Sequence, residues 1–222
     1  MILKNKINVL VGCEESDSVR GRLERLGINA WSCDLQENRN PSAKHYIGDI
    51  FDILYLGWDA LIGFPPCTHL AVSGAAWFKI KQKDGRQQEG IDFFMKLATA
   101  PINYIAIENP VGIMSKVYRR PDQIIQPYYF GDRAQKTTCL WLKGLPPLLH
   151  NAAPNLFDNK VTHVYKGDDI ISKSGKAMNE WYYQTSCLPL NERAKVRSKT
   201  FPGIASAMAE QWGRYLILKI KV

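Results

Sequence analysis

Through the first half of the chain, short apolar runs alternate with segments whose apolar residues recur at helical spacing. Residues 7–12 read as a buried strand. From about Ser18, the spacing of Val19, Leu23 and Leu26 predicts a helix, with Arg20, Arg22 and Arg25 on its other faces and Gly27 placed to stop it. Residues 29–34 predict a second strand ending in Asp34, and residues 46–50 a shorter third. Residues 59–63 predict a fourth that runs directly into Pro65, Pro66 and Cys67. Residues 68–86 read as a long loop with a basic second half, 89–97 as a helix, and 104–107 as a fifth strand ending at Glu108. Such alternation implies an α/β fold, a mostly parallel sheet with helices on both faces. Ligands bind beyond the carboxyl ends of the strands in such sheets, where Gly12, Asp34, Cys67 and Glu108 all fall.

The second half is less regular. Residues 138–142 predict one more strand, and residues 144–200 are rich in turn formers. Residues 202–216 predict a closing helix, with Ile204, Ala205, Met208 and Trp212 at helical spacing. The expected organisation is a catalytic and cofactor-binding α/β domain over 1–146, a small extension over 147–198, and a C-terminal helix over 199–222 that packs back on the first domain.

With 222 residues, the chain can bury one full α/β core. The 45% apolar and 23% charged fractions are those of an ordinary globular protein, and no apolar run approaches a membrane span. The first residues lack the apolar stretch and cleavage site of a secretory signal, so a cytoplasmic location and no membrane partner are expected. The 5 cysteines form no CxxC pair, which argues against a zinc site or a disulfide framework, and no metal is expected. A net charge of +8 suits a polyanionic partner or, equally, a solvated basic surface.

Pro65 and Pro66 restrict the backbone and remove two donors, so Cys67 leaves its strand in a defined direction. A thiol there suits nucleophilic attack, which needs the thiolate and therefore a pKa below the free value of about 8.5. The alternative is a buried structural Cys in a proline-rich turn. A carboxylate ending an apolar strand, as Glu108 does, is costly without a partner or a task. A raised pKa would let it donate a proton to a ring nitrogen; capping the next helix is the alternative. Together the pair narrows the chemistry, because adding a one-carbon unit to a pyrimidine ring needs both groups at once.

Asp34 stands where many nucleotide folds place an acid against ribose hydroxyls, although a surface turn would look the same. The first loop has one Gly followed by Cys13, Glu14 and Glu15, which suits an adenosine cofactor without phosphates better than a pyrophosphate. His69 reads as a base near Cys67 or as a plain loop residue. Trp77 and Phe78 read as a cover that stacks on bases, or as apolar anchors of the loop.

These residues resemble the motifs of the DNA cytosine methyltransferases that modify carbon 5, in their compact phage- and prophage-type form. Pro65-Pro66-Cys67 is similar to the family's nucleophile motif, and Glu108-Asn109-Pro110 resembles its ENV motif with Pro in place of Val. Gly48-Asp49-Ile50 is similar to the block that contacts the cofactor's adenine. Residues 126–132 with 138–146, and residues 200–205, resemble further blocks of the compact members.

The resemblance implies a Rossmann-like fold dependent on S-adenosylmethionine, with a very small target-recognition region. It implies S-adenosylmethionine as donor and a flipped-out cytosine in duplex DNA as acceptor. Cys67 would attack ring carbon 6, Glu108 would protonate ring nitrogen 3, and Asn109 would help orient Glu108. Gly12, Asp34, Asp49, Ile50 and Pro65 would contact the cofactor. Ser73, Lys79, Lys81, Arg86, Arg133 and Lys136 would hold the substrate. It further implies a monomer acting in restriction-modification. The sequence departs from the family in its first loop, and its Gln135-Lys136-Thr137-Thr138-Cys139 lacks the arginines of the QxRxR block. Two other readings stay open: one-carbon chemistry on free deoxycytidine nucleotides, and an inactive DNA-binding homologue.

Overall fold

In the computed structural model, residues 1–152, 161–172, 175 and 177–220 are described. The strands are β1 (Asn8–Gly12), β2 (Asn29–Asp34), β3 (His45–Ile47), β4 (Ala60–Gly63), β5 (Tyr104–Pro110), β6 (Gln123–Ile125), β7 (Thr138–Lys143), β8 (Asp169–Ile171) and β9 (Ala177–Asn179). The helices are α1 (Arg20–Arg25), α2 (Phe78–Lys83), α3 (Arg86–Ala98), α4 (Met114–Val117), α5 (Glu180–Ser186), α6 (Leu190–Ser198), α7 (Pro202–Ala207) and α8 (Gly213–Ile220). A π-helical stretch, Met208–Trp212, joins α7 to α8 in one closing helix.

One 7-stranded sheet has the order β3-β2-β1-β4-β5-β7-β6, and β8-β9 form a separate 2-stranded ribbon. From β3 to β5 all pairings are parallel, whereas β7 is antiparallel to both β5 and β6. This is a Rossmann-like, doubly wound α/β sheet. Alternate strand residues feed two cores. Val9 and Val11 pack on one face with Leu23 of α1 and with Met208, Trp212 and Leu216 of the closing helix. Leu10, Leu61 and Ile105 pack on the other with Phe94 and Leu97 of α3. Burial on both faces explains why the central strands read as unbroken apolar runs. Among the described residues no helix is long and apolar enough to cross a membrane.

Several expectations are corrected. Residues 68–86 are not a loop: a 3-10 turn, Val72–Trp77, leads into α2 and then α3. Gly85, at φ 86°, breaks the two helices apart. Residues 46–50 do not form one strand. Asp49 accepts from the Phe51 N–H at 3.0 Å and starts a 3-10 turn, Ile50–Asp52. Arg20 is buried rather than on an outer face, because its guanidinium pairs with Asp17 and Glu24. Strand β6 carries too short an apolar run to be read from sequence. The extension expected over 147–198 contains β8, β9, α5 and α6, although residues 153–160, 173–174 and 176 lie outside the described residues, as do 221–222 of the closing segment.

Candidate active site

The carboxyl ends of the parallel strands converge on a cavity of about 440 Å³. Its two ends differ in chemistry. Glu14, Glu15, Asp34 and Asp49 form an acidic end beyond β1, β2 and β3. Cys67, Glu108, Asn109 and Lys136 line the other, beyond β4 and β5.

Register sets the reactive pair side by side. Gly63 of β4 lies opposite Ile107 of β5, so the chain leaving β4 runs past Glu108. Asn109 is buried, and its Nδ2 donates to the Pro65 carbonyl at 2.8 Å, fixing the turn that delivers Cys67. The Leu70 and Ala71 N–H groups donate to the Cys67 carbonyl at 3.0 and 2.9 Å. Because β7 runs antiparallel, its first residue, Thr138, sits opposite Pro110. That brings Lys136 to the same mouth, where its Nζ donates to the Arg197 carbonyl at 2.7 Å.

Burial pushes the Cys67 thiol up and the Glu108 charge pushes it further, while Lys136, its own N–H and Lys81 pull it down. The expectation of a thiol below its free value is therefore corrected. Glu108 is also raised, first by burial, against the pull of Lys136 and of the Thr138 hydroxyl. Burial opposes a charge on either group, and an ionised Glu108 opposes the thiolate further, which favours a state in which only one is charged.

At the acidic end, Cys13 and Asp17 adopt φ of 59° and 61°, an uncommon conformation outside glycine. The bend turns Glu14 back onto α1, where its carboxylate accepts from the Val19 N–H at 2.6 Å and the Arg20 N–H at 3.2 Å. Burial raises Glu14 to about 7. With the first N–H groups of α1 already bound to a carboxylate, no phosphate cradle remains there. Asp34 and Asp49 face the same end, and the buried Oε2 of Glu15 has no hydrogen-bond partner among the described residues. This donor-poor, acceptor-rich wall fits a cationic nucleoside with ribose hydroxyls, as S-adenosylmethionine is.

Ile50 and Pro65 also line the cavity. Gly12 lies outside its wall, and a β-carbon on Gly12 would fall 2.2 Å from Cδ1 of Ile50, so its small size serves packing. Of the residues expected to hold substrate, only Lys136 lines the cavity. Lys81 is buried and donates to the Thr68 carbonyl at 2.6 Å, Arg86 pairs with Asp84 at 2.5 Å, and Arg133 pairs with Glu180 at 3.0 Å. Ser73 and Lys79 are exposed on the segment that leads away from Cys67. Sequence reasoning missed the wall formed by Arg197, Ser198, Lys199 and Thr200. Its one signal was proximity to the 200–205 block. Glu14 was noticed only as an obstacle to phosphate. Among the described residues, no group of three or more His, Cys, Asp or Glu is placed to hold a metal ion.

No protein-family model matches the chain, and no curated protein matches it. Among solved structures, the chain is similar to a protein described as a DNA modification methyltransferase encoded within a prophage, from E. coli. Identity is 17% and the TM-score 0.46, over 72% of this chain and 53% of that one. It is also similar to the methyltransferase EhMeth of Entamoeba histolytica, at 16% identity and a TM-score of 0.48, over 77% of this chain and 62% of that one. The chain thus spans little more than half the length of these neighbours. At these values neither neighbour bears on function.

Proposed function

We propose that this protein transfers a methyl group from S-adenosylmethionine to carbon 5 of cytosine in DNA, through a covalent bond to Cys67. The observation that carries this reading is the presence of Cys67 and Glu108, from neighbouring strand ends, in one cavity whose far end is acidic and lacks a phosphate cradle. When bound at that acidic end, S-adenosylmethionine supplies an electrophilic methyl group.

The chain's own residues do the rest. Cys67 and Glu108 hold one negative charge between them more easily than two. A proton on Glu108 lets Cys67 ionise and is also the proton that ring nitrogen 3 requires. The thiolate adds to carbon 6, nitrogen 3 takes the Glu108 proton, and the electron pair moves to carbon 5. Carbon 5 would take the methyl group as that group's bond to the sulfonium sulfur breaks, leaving S-adenosylhomocysteine, and the carbon 5 proton would pass to water in the cavity. The sulfur–carbon bond breaks, the thiolate leaves, and the nitrogen proton returns to Glu108. Asn109 keeps the Pro65 turn in place, and Lys136 steadies the negative charge at the mouth. The net charge of +8 suits a polyanionic substrate.

The test is transfer of a labelled methyl group from S-adenosylmethionine to mixed-sequence duplex DNA, beside free deoxycytidine nucleotides, by the wild type, Cys67→Ser and Glu108→Gln. Label recovered as 5-methylcytosine in DNA with the wild type alone is expected. Label only in the monomer would move the substrate to free nucleotides. Label from Cys67→Ser at the wild-type rate would end the covalent mechanism.

A further inference from the structure

Five carboxylates line the cavity, Glu14, Glu15, Asp34, Asp49 and Glu108, and of these Glu14 is the one residue buried as a whole, at 4% exposure. The backbone holds it there. Cys13 and Asp17 on either side take left-handed φ of 59° and 61°, and the Glu14 N–H donates to the Cys33 carbonyl at 3.1 Å. The donors that reach its carboxylate among the described residues are neutral: the Val19 N–H at 2.6 Å, the Arg20 N–H at 3.2 Å and the Ser16 hydroxyl at 3.5 Å. Of the charged groups that act on it, Asp17 opposes its ionisation and Arg20 favours it. The Arg20 guanidinium is already paired with Asp17 and Glu24. The rest of that end of the wall is Glu15, Asp34 and Asp49. Two thiols in the wall register the same negative field: burial raises Cys13 and Cys33, and the charges of Asp34 and Asp49 raise both further.

A buried carboxylate without a cation of its own, set in a wall of acids, keeps a proton until a cation arrives from outside. Accepting the cofactor reading above, we propose that Glu14 tells S-adenosylmethionine from its product by charge. It is ionised while a sulfonium is in the cavity, and it takes a proton from solvent once the methyl group has left and a neutral thioether remains. The sign is fixed. Below about pH 7 the empty cavity holds Glu14 protonated, so a cationic ligand must expel that proton to bind. Affinity for the cation therefore climbs as pH rises towards 7, and affinity for the thioether does not.

The test is calorimetry without DNA or methyl transfer. Wild type, Glu14→Gln and Asp34→Asn are titrated with S-adenosylmethionine, with S-adenosylhomocysteine, and with sinefungin, an unreactive analogue that carries an amine in place of the sulfonium. Titrations at pH 5.5, 6.5 and 7.5, in buffers of different ionisation enthalpy, count the protons released. Wild-type affinity for S-adenosylmethionine and sinefungin should rise by about tenfold across the series, with release of up to about one proton at pH 5.5, and affinity for S-adenosylhomocysteine should change by less than about twofold. Glu14→Gln should lose the rise and the release and keep its affinity for S-adenosylhomocysteine. Asp34→Asn should bind every ligand less tightly and keep the rise. The wild-type proton count decides the question even where Glu14→Gln is too unstable to titrate. A rise shared equally by S-adenosylhomocysteine, no proton release, or a rise retained in Glu14→Gln would overturn this role of Glu14 and leave the cofactor reading intact. A wild type that binds none of the three ligands at any pH would overturn both.

Discussion

Glu14 should make folding stability depend on pH in a window that ordinary carboxylates do not reach. Its ordinary value is 4.5, and burial raises it to about 7 in the folded chain. The folded state therefore holds a proton that the unfolded state has released. The sign follows: Glu14's contribution is fully present below about pH 4.5 and is lost as pH rises through about 7. At about 1.4 kcal/mol per pH unit, that gap corresponds to roughly 3 kcal/mol. Glu14→Gln removes the titration and adds a constant penalty, since an amide nitrogen meets an N–H of α1. Urea unfolding of both proteins at pH 4.5, 5.5, 6.5 and 7.5 separates the two effects, because only the titration varies with pH. The stability of Glu14→Gln relative to the wild type should rise by about 3 kcal/mol across the series. A difference that stays flat would show that Glu14 titrates as an ordinary carboxylate and would refute the reasoning.

Other outcomes test the site and its scaffold. Alkylation of Cys67 by iodoacetamide, followed against pH by mass spectrometry, should show its midpoint above that of a free thiol, moved down by Glu108→Gln and up by Lys136→Gln. Asn109→Ala leaves the Pro65 carbonyl without its donor, and should cost about 1–3 kcal/mol in urea unfolding and lower kcat more than cofactor affinity. Gly203→Ala would set a β-carbon 2.0 Å from the Phe130 carbonyl oxygen, and should destabilise the chain by about 3 kcal/mol or more in the same assay.

The parts of the fold legible in the sequence are those whose signals are local. Burial on both faces gives β1, β4 and β5 their apolar runs, and the two prolines before Cys67 mark the strand end. The buried stripe of Ile204, Ala205, Met208 and Trp212 marks the closing helix. What long-range docking decides is not written locally. Arg20 is an outward-facing charge by pattern, yet Asp17 and Glu24 satisfy it in the interior. Lys81 looks like a phosphate contact until the Thr68 carbonyl takes its ammonium. The wall from Arg197 to Thr200 reaches the cavity only because Arg197 donates to the Tyr182 carbonyl and the Ser186 hydroxyl of α5, and Lys136 holds the Arg197 carbonyl. The role of Cys67 points to a low thiol pKa, and its burial, with the Glu108 charge beside it, reverses that direction.

The most direct measurement traps the covalent intermediate. A duplex carrying 5-fluorocytosine places fluorine where carbon 5 must lose a proton, so the thiolate cannot leave after methyl transfer. The account predicts that wild type, this duplex and S-adenosylmethionine yield a denaturation-resistant adduct, mapped by peptide mass spectrometry to Cys67, and that Cys67→Ser yields none. An adduct on another residue, or methylated cytosine formed by Cys67→Ser as fast as by the wild type, would contradict it.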